Sequence, residues 1–233
     1  MSLLLALALT ASAVYAWRRY NTRRGPSASA GASAAARTRQ LRTPLVRLAT
    51  ALGIDTRAER EARNWEEGAR GERRAAARLQ PLTDAGWWIR YDLALPPGEG
   101  SANVDGLAIS PAGKPFVLDP KVMHPRFPVT VHAGRVWHGN LDVTRRITSA
   151  GKEAAAVSRA LGVPVVAIVA IEGARLLGPH KRPATELALG PVRIVPAHRL
   201  PAVLQAQAHV PGQRHAEALV ATAERVLPPY LGR

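Results

Sequence analysis

The sequence has no cysteine among its 233 residues. A disulfide framework, a thiolate zinc site and a cysteine nucleophile are therefore excluded. The chain also has no glycine-rich phosphate loop and no internal repeat. No serine lies in a nucleophile motif, so an acyl hydrolase has no support. His124, His132 and His138 are scattered without the spacing of a helical zinc motif.

Acidic residues are scarce. The chain has 17 Asp and Glu against 32 Lys and Arg, which gives a formal net charge of +15. This balance favours an anionic partner, either nucleic acid or an acidic membrane surface. A genome biased towards arginine and alanine is the alternative explanation. Because 47% of the residues are hydrophobic, a chain of this length is expected to form a globular domain.

Residues 1–20 are predicted to form a membrane anchor. Leu3 to Trp17 carry no charge, and Arg18 and Arg19 follow directly, although a bilayer span usually needs about 20 apolar residues. A cleaved signal peptide would explain Ala11 to Ala13, but no Lys or Arg precedes the apolar run. Arginines after the run predict a single-pass protein of the cell membrane with its domain on the cytoplasmic side.

Residues 21–44 are rich in Ser, Ala, Gly and Arg, which indicates a flexible basic linker. Residues 45–233 are predicted to form an α/β domain with a mixed central sheet flanked by helices. Asp142 to Leu161 has a helical apolar pattern, and Val163 to Ile171 is a nearly continuous apolar run. Such a run is typical of a strand buried on both faces, and a helix followed by a buried strand indicates an α/β crossover.

Asn103 to Lys121 is predicted to be a hairpin with its turn at Pro111-Ala112-Gly113. If Ser110 pairs with Lys114, Asp105 lies across from Asp119. The alternation of side chains then puts Asp105, Asp119 and Lys121 on one face. The other face is formed by Val104, Ala108, Phe116 and Leu118.

Two carboxylates that face each other in a sheet repel, so fold stability alone would not select Asp105 opposite Asp119. A divalent cation between them would make the pair favourable, since hard cations prefer carboxylate oxygens. Lys121 would then lie beside the metal and could stabilise an oxyanion. The alternative is a surface hairpin in which Asp119 and Lys121 form an ordinary salt bridge.

Residues from about Ala62 to Gln80 have a helical pattern with one unexpected acid. Glu72 fills a slot in an apolar stripe that consists of Trp65, Ala69, Ala76 and Leu79. A carboxylate on a packing face is unfavourable unless it is paired or binds a metal. Gly68 and Gly71 flank it, and glycine inside a helix costs up to about 1 kcal/mol against alanine. Close approach of the helix to the sheet would justify both. The alternative for Glu72 is a boundary residue paired with a nearby arginine.

These segments together resemble the nuclease-related domain (NERD) family of the PD-(D/E)XK, or restriction-endonuclease-like, superfamily. The resemblance runs from about Trp65 to at least Leu204. Its motifs are Gly68-x-x-Gly71-Glu72, then Asn103-Val104-Asp105, then Phe116-Val117-Leu118-Asp119-Pro120-Lys121.

The resemblance implies a restriction-endonuclease-like fold and a phosphodiesterase core that depends on Mg²⁺ (or Mn²⁺) and acts on nucleic acid, with DNA as the expected substrate. Asp105 and Asp119 match the family's metal-binding acids, and Lys121 matches its catalytic lysine. Glu72 matches the acid on the helix and is expected to contribute to the metal site.

Two departures favour other functions. Pro120 lacks the N–H that a central strand normally needs. The next helix has Arg145, Arg146 and Lys152 where family members often have glutamine or a similar polar residue. A catalytically inactive nucleic-acid-binding module of the same fold is therefore one alternative, and a membrane-surface scaffold is another.

Overall fold

The computed structural model describes residues 29–98, 103–207 and 213–230. The predicted anchor and residues 21–28 of the predicted linker lie outside these ranges. Within them, no helix is long and apolar enough to cross a membrane.

Helices surround the sheets of this domain. We number those in the described ranges α1 (Ala32–Leu41), α2 (Pro44–Ala51), α3 (Arg57–Asp84), α4 (Thr144–Leu161), α5 (Leu200–Ala206) and α6 (Gln213–Val226), with short 3₁₀ helices at Pro179–Lys181 and Ala197–Arg199. The side-chain oxygens of Thr43 and Thr56 accept hydrogen bonds from the first turns of α2 and α3. These caps explain where the two helices begin.

The strands form two sheets. They are β1 (Trp88–Ala94), β2 (Asn103–Ile109), β3 (Pro115–Val122), β4 (Val129–His132), β5 (Arg135–His138), β6 (Leu141–Asp142), β7 (Val166–Glu172), β8 (Leu176–Leu177), β9 (Leu187–Leu189) and β10 (Val192–Pro196). The large sheet has the order β1-β2-β3-β7-β10-β9, and the small sheet has the order β6-β5-β4-β8. In the large sheet β3, β7 and β10 are parallel and the other pairs are antiparallel. The predicted mixed α/β fold is confirmed.

The large sheet is covered on both faces. One apolar cluster joins the sheet to α4 and α6, and it includes Leu107, Val117, Val169, Ile147 and Leu219. The other joins the sheet to α3 and α5, and it includes Ala108, Phe116, Ile168, Leu79 and Leu204. As predicted, β7 is buried along most of its length. The sheet is thus the middle layer of three, and α3 and α4 approach it from opposite sides.

The predicted hairpin register is confirmed. The Ser110 N–H donates to the Lys114 carbonyl oxygen at 2.9 Å, and Gly106 pairs with Leu118. The ladder ends at that pair, and Asp105 and Asp119, the next residues, both contact the ammonium of Lys121. Gly113, in the turn, has a φ of +85°, which glycine adopts without strain.

The predicted position of Val104 is wrong. It packs in the cluster on the α4 side, whereas Leu118 packs on the α3 side. The ladder between β1 and β2 omits the Asp92–Asp105 pair, and Asp92 has a φ of +50°. This irregularity interrupts the simple alternation of side chains in β2.

The predicted flexible linker is also wrong for residues 32–41, which form α1 and pack against α3. Alanine has the highest helix propensity, and small side chains let the two helices approach closely. A Cβ at Gly31 would lie only 2.8 Å from the carbonyl oxygen of Ala69. Arg42, directly after α1, forms ion pairs with Glu59 and Glu66 of α3 at 3.0 and 2.9 Å.

The two glycines beside Glu72 have different environments. A Cβ at Gly71 would lie 2.5 Å from the Cγ2 atom of Val122 in β3, whereas a Cβ at Gly68 would meet nothing within 4 Å. The predicted close approach is therefore confirmed for Gly71 and wrong for Gly68. The contact at Gly71 sets how near Glu72 lies to β3.

We expect Gly71→Ala to destabilise the domain by about 1–3 kcal/mol, the usual cost of forcing an extra methyl into a packed contact. Gly68→Ala is the matched control, since its methyl has open space and removes the entropic cost of a helical glycine. It should stabilise the domain by up to about 1 kcal/mol. Urea unfolding of both variants measures this difference. Equal effects of the two substitutions would contradict the close contact.

Candidate active site

Three of the predicted site residues meet at the β2–β3 hairpin. The ammonium nitrogen of Lys121 lies 3.7 Å from Oδ2 of Asp105 and forms a close ion pair with Oδ1 of Asp119. Asp119 is fully buried, whereas the side chains of Asp105 and Lys121 are 21% and 22% exposed. The cluster therefore opens to solvent on the side of Asp105 and Lys121.

Pro120 does not interrupt the strand that carries Asp119 and Lys121. It pairs with Ala170 in the parallel ladder between β3 and β7, which continues to Val122. The ladder between β2 and β3 ends at Leu118, so Pro120 lies where β3 is paired on one side only. Proline is tolerated at such edge-like positions.

Glu72, the acid predicted on the helix, points towards the hairpin acids and is largely buried. Burial, Asp105 and Asp92 raise its pKa to about 8, against the lowering effects of Lys121 and of a hydrogen bond from the Gly31 N–H. Its Oε2 atom is buried without a hydrogen-bond partner. The predicted stripe holds for Ala69 and Leu79, which are buried, but Trp65 is 42% exposed.

Glu153 on α4 is a site residue that the sequence analysis missed. Burial and the nearby Asp105 raise its pKa to about 7, against the opposing effect of Lys121. Its Oε2 atom is also buried without a hydrogen-bond partner. A weak signal was present, since Glu153 lies three residues after Ala150 and four before Val157, at the edge of the apolar stripe of α4. The helix thus provides a polar group at the site, one residue beyond the predicted region that ends at Lys152.

Asp92 on β1 is a second missed acid, and it is completely buried. Its Oδ2 atom accepts the Ser33 N–H at 2.9 Å. Its Oδ1 atom accepts the Ser33 hydroxyl and the Asn103 amide, both at 2.6 Å. Both of its oxygens are thus bonded within the protein, partly by the N-terminus of α1, where negative charge is favourable. Asp92 is therefore held in position beside the site by Ser33 and Asn103.

The acids of the site share one electrostatic property. Burial and the neighbouring Asp119 raise the pKa of Asp105 to about 7, and burial also raises the pKa of Asp119. For Lys121, burial lowers the pKa, but Asp119 and Asp105 raise it more, so the ammonium stays charged. Perturbed pKa values of this kind concentrate at functional sites.

The donor set fits a hard divalent cation. Glu72, Asp119 and Glu153 all have buried carboxylate oxygens without a hydrogen bond, and carboxylate oxygens are the ligands that Mg²⁺ prefers. In the described part of the chain, however, no three His, Asp or Glu side chains are grouped closely enough to hold an ion. The predicted ligands Glu72, Asp105 and Asp119 are neighbours but do not form a three-carboxylate cluster.

We expect Glu72→Gln to change stability in a pH-dependent way. The folded-state pKa of about 8 lies above the reference value of 4.5, so ionisation of Glu72 destabilises the fold as the pH rises through this window. Without divalent ions, the variant should melt about 3 °C or more above the wild type at pH 9, which corresponds to roughly 1 kcal/mol in a domain of this size. At pH 5 the two should melt alike.

Glu67→Gln is the matched control, because Glu67 lies on the same helix with an exposed side chain. Thermal unfolding between pH 5 and pH 9 is the measurement. A Glu72→Gln effect that is equal at both ends of the range would refute the raised pKa.

A comparison with protein-family models matches residues 67–171 to the nuclease-related domain (NERD). Searches of the curated proteins and of the solved structures found no match. The matched range contains Glu72, Asp105, Asp119, Lys121 and Glu153. The mixed sheet between two helical layers is consistent with the restriction-endonuclease-like superfamily. Residues 67–171 are therefore the part of this chain that is similar to the nuclease-related domain family.

Proposed function

We propose that this protein is a Mg²⁺-dependent (or Mn²⁺-dependent) nuclease that hydrolyses phosphodiester bonds in nucleic acid, with DNA as the expected substrate. One observation carries the proposal. Two acids at the end of the hairpin, Asp105 and Asp119, both contact the Lys121 ammonium, and Asp119 is completely buried. An arrangement that opposes fold stability needs another reason to exist.

Each residue has a role that follows from its environment. Asp105 and Asp119 would hold the ion and Glu72 would ligate it through water, and the ion would supply Lewis-acid stabilisation of the phosphate when bound. Lys121 keeps its proton because two carboxylates flank it, so it can offset charge that develops on the phosphate oxygens. Glu153, with a pKa near 7, can exchange a proton with water or substrate at neutral pH.

We expect Asp119→Asn to reduce Mg²⁺-dependent DNA cleavage by at least about 100-fold, the usual loss when one preorganised charged group is removed. Asp84→Asn is the matched control, because Asp84 is exposed at the end of α3, and it should cleave like the wild type. The assay uses the full-length chain in detergent, with labelled single- and double-stranded DNA. Wild-type cleavage by Asp119→Asn would remove Asp119 from the mechanism.

The alternative is a nucleic-acid-binding module without turnover. The absence of a three-carboxylate group among the described side chains favours it. In that case the wild type binds DNA equally with Mg²⁺ or EDTA, and no divalent ion produces cleavage. The same assay therefore decides between the two functions.

We also propose that the domain lies at the cytoplasmic face of the cell membrane. No residue of α2 is buried, and Leu45, Leu48, Leu52 and Ile54 are 79%, 59%, 70% and 56% exposed. No Asp or Glu occurs before Asp55, whereas this stretch has eight arginines. An exposed leucine face with surrounding arginines suits the surface of an anionic bilayer.

The absence of cysteine allows a direct test of this location. An environment-sensitive dye on Leu48→Cys of the full-length protein should shift to shorter wavelength in vesicles with anionic lipid. The same dye on Leu141→Cys, a position that is 62% exposed in the small sheet, should not shift. A dye at residue 48 that stays in water would exclude α2 as a membrane contact.

A further inference from the structure

A cavity lies at the same edge of the large sheet as the candidate active site. It has a volume of about 290 Å³ and is lined by the end of β7, the segment after it, and the segment after β10. Ile171 in its wall pairs directly with Lys121, and neighbouring strands are about 4.8 Å apart. Ligands of open α/β sheets bind at the carboxyl ends of parallel strands, where this cavity lies.

The polar groups of the cavity are mainly basic. Its charged and titratable lining residues are Arg78, Glu172, Arg175 and His198. Glu172 is the only acid among these described residues, and it is already paired with Arg78. The Arg78 guanidinium binds both carboxylate oxygens of Glu172, at 2.6 and 3.0 Å. Arg175 and His198 are exposed at the cavity. In the described ranges no acid is within ion-pair distance of Arg175, so its charge is available to an anion.

The rest of the lining has no group that could distinguish the bases. Apart from the four residues just named, the described lining consists of glycine, alanine, proline, leucine and isoleucine, with no amide, hydroxyl or aromatic ring. Reading a base edge requires hydrogen-bond donors and acceptors from side chains. Outside its charged and titratable residues, the cavity therefore has no side chain that could select a base.

We infer that this cavity is a nucleotide subsite for the phosphate next to the one at Lys121, with Arg175 and His198 as its phosphate contacts. The volume is at the lower end of the roughly 300–1,000 Å³ usual for small-molecule sites, which suits a single nucleotide. The inference rests on the proposed function, and it adds that the substrate is bound without base selectivity.

The test measures binding separately from cleavage. The Asp119→Asn full-length protein is titrated into a labelled 12-nucleotide oligothymidylate in EDTA, with fluorescence anisotropy as the readout. Adding Arg175→Ala and His198→Ala should weaken binding at least about tenfold. Arg175→Ala alone should lower the slope of log affinity against log salt by about 1, as expected for one lost phosphate contact. Oligoadenylate and oligocytidylate of the same length should bind within about threefold of oligothymidylate.

Arg145→Ala is the matched control, since Arg145 is an exposed arginine of α4 that does not line the cavity, and it should change the affinity less than about threefold. The inference is overturned if the cavity variants bind like Arg145→Ala, or if one base is preferred more than tenfold. These outcomes are independent of turnover. If the cavity variants weaken binding but the wild type cleaves no DNA, only the nuclease proposal is refuted. If the wild type cleaves DNA but the cavity variants bind as well as the protein without them, only the subsite is refuted.

Discussion

The repulsion between Asp105 and Asp119 is the constraint on which this domain depends. The hairpin turn fixes the register of β2 and β3 up to the Gly106–Leu118 pair. Asp105 and Asp119 come directly beyond that pair, and Asp119 is completely buried. Lys121 provides the only cation in contact with both, among the residues described. Burial raises the pKa values of Glu72, Asp105 and Glu153, neighbouring acids raise them further, and Lys121 offsets these effects only in part. Additional positive charge at this site would therefore stabilise the ionised forms of these acids.

The sequence was sufficient to predict the features that short-range residue patterns determine. A turn glycine and a period of two predicted the hairpin register, and a period of 3.6 predicted α3 and α4. The predicted side-chain direction of Val104 was wrong, because the left-handed backbone at Asp92 in β1 interrupts the alternation of side chains in β2. Nothing in the residues around Val104 encodes that irregularity. Trp65 has the spacing of a packing residue yet is exposed, since periodicity identifies a face of a helix but not how far the neighbouring layer extends.

The two missed acids differ in whether they could have been found. Glu153 lies beside Ala154 at the edge of the apolar stripe of α4, so the sequence marks it only weakly. Asp92 is the only acid of β1, and its carboxylate is held by hydrogen bonds from Ser33, which is 59 residues away in the sequence. Local patterns carry no information about a contact at that distance.

Residues at the N-terminus of α1 also contact the acids of the candidate active site. Gly31 and Ser33 lie outside the range matched to the nuclease-related domain, yet their backbone N–H groups donate to Glu72 and Asp92. These donors belong to the positive end of α1, where they favour ionised carboxylates. A segment whose composition resembles a linker thus lowers the pKa of Glu72 while the acids around it raise it. The matched range supplies the acids, and the helix before it helps to determine their charge.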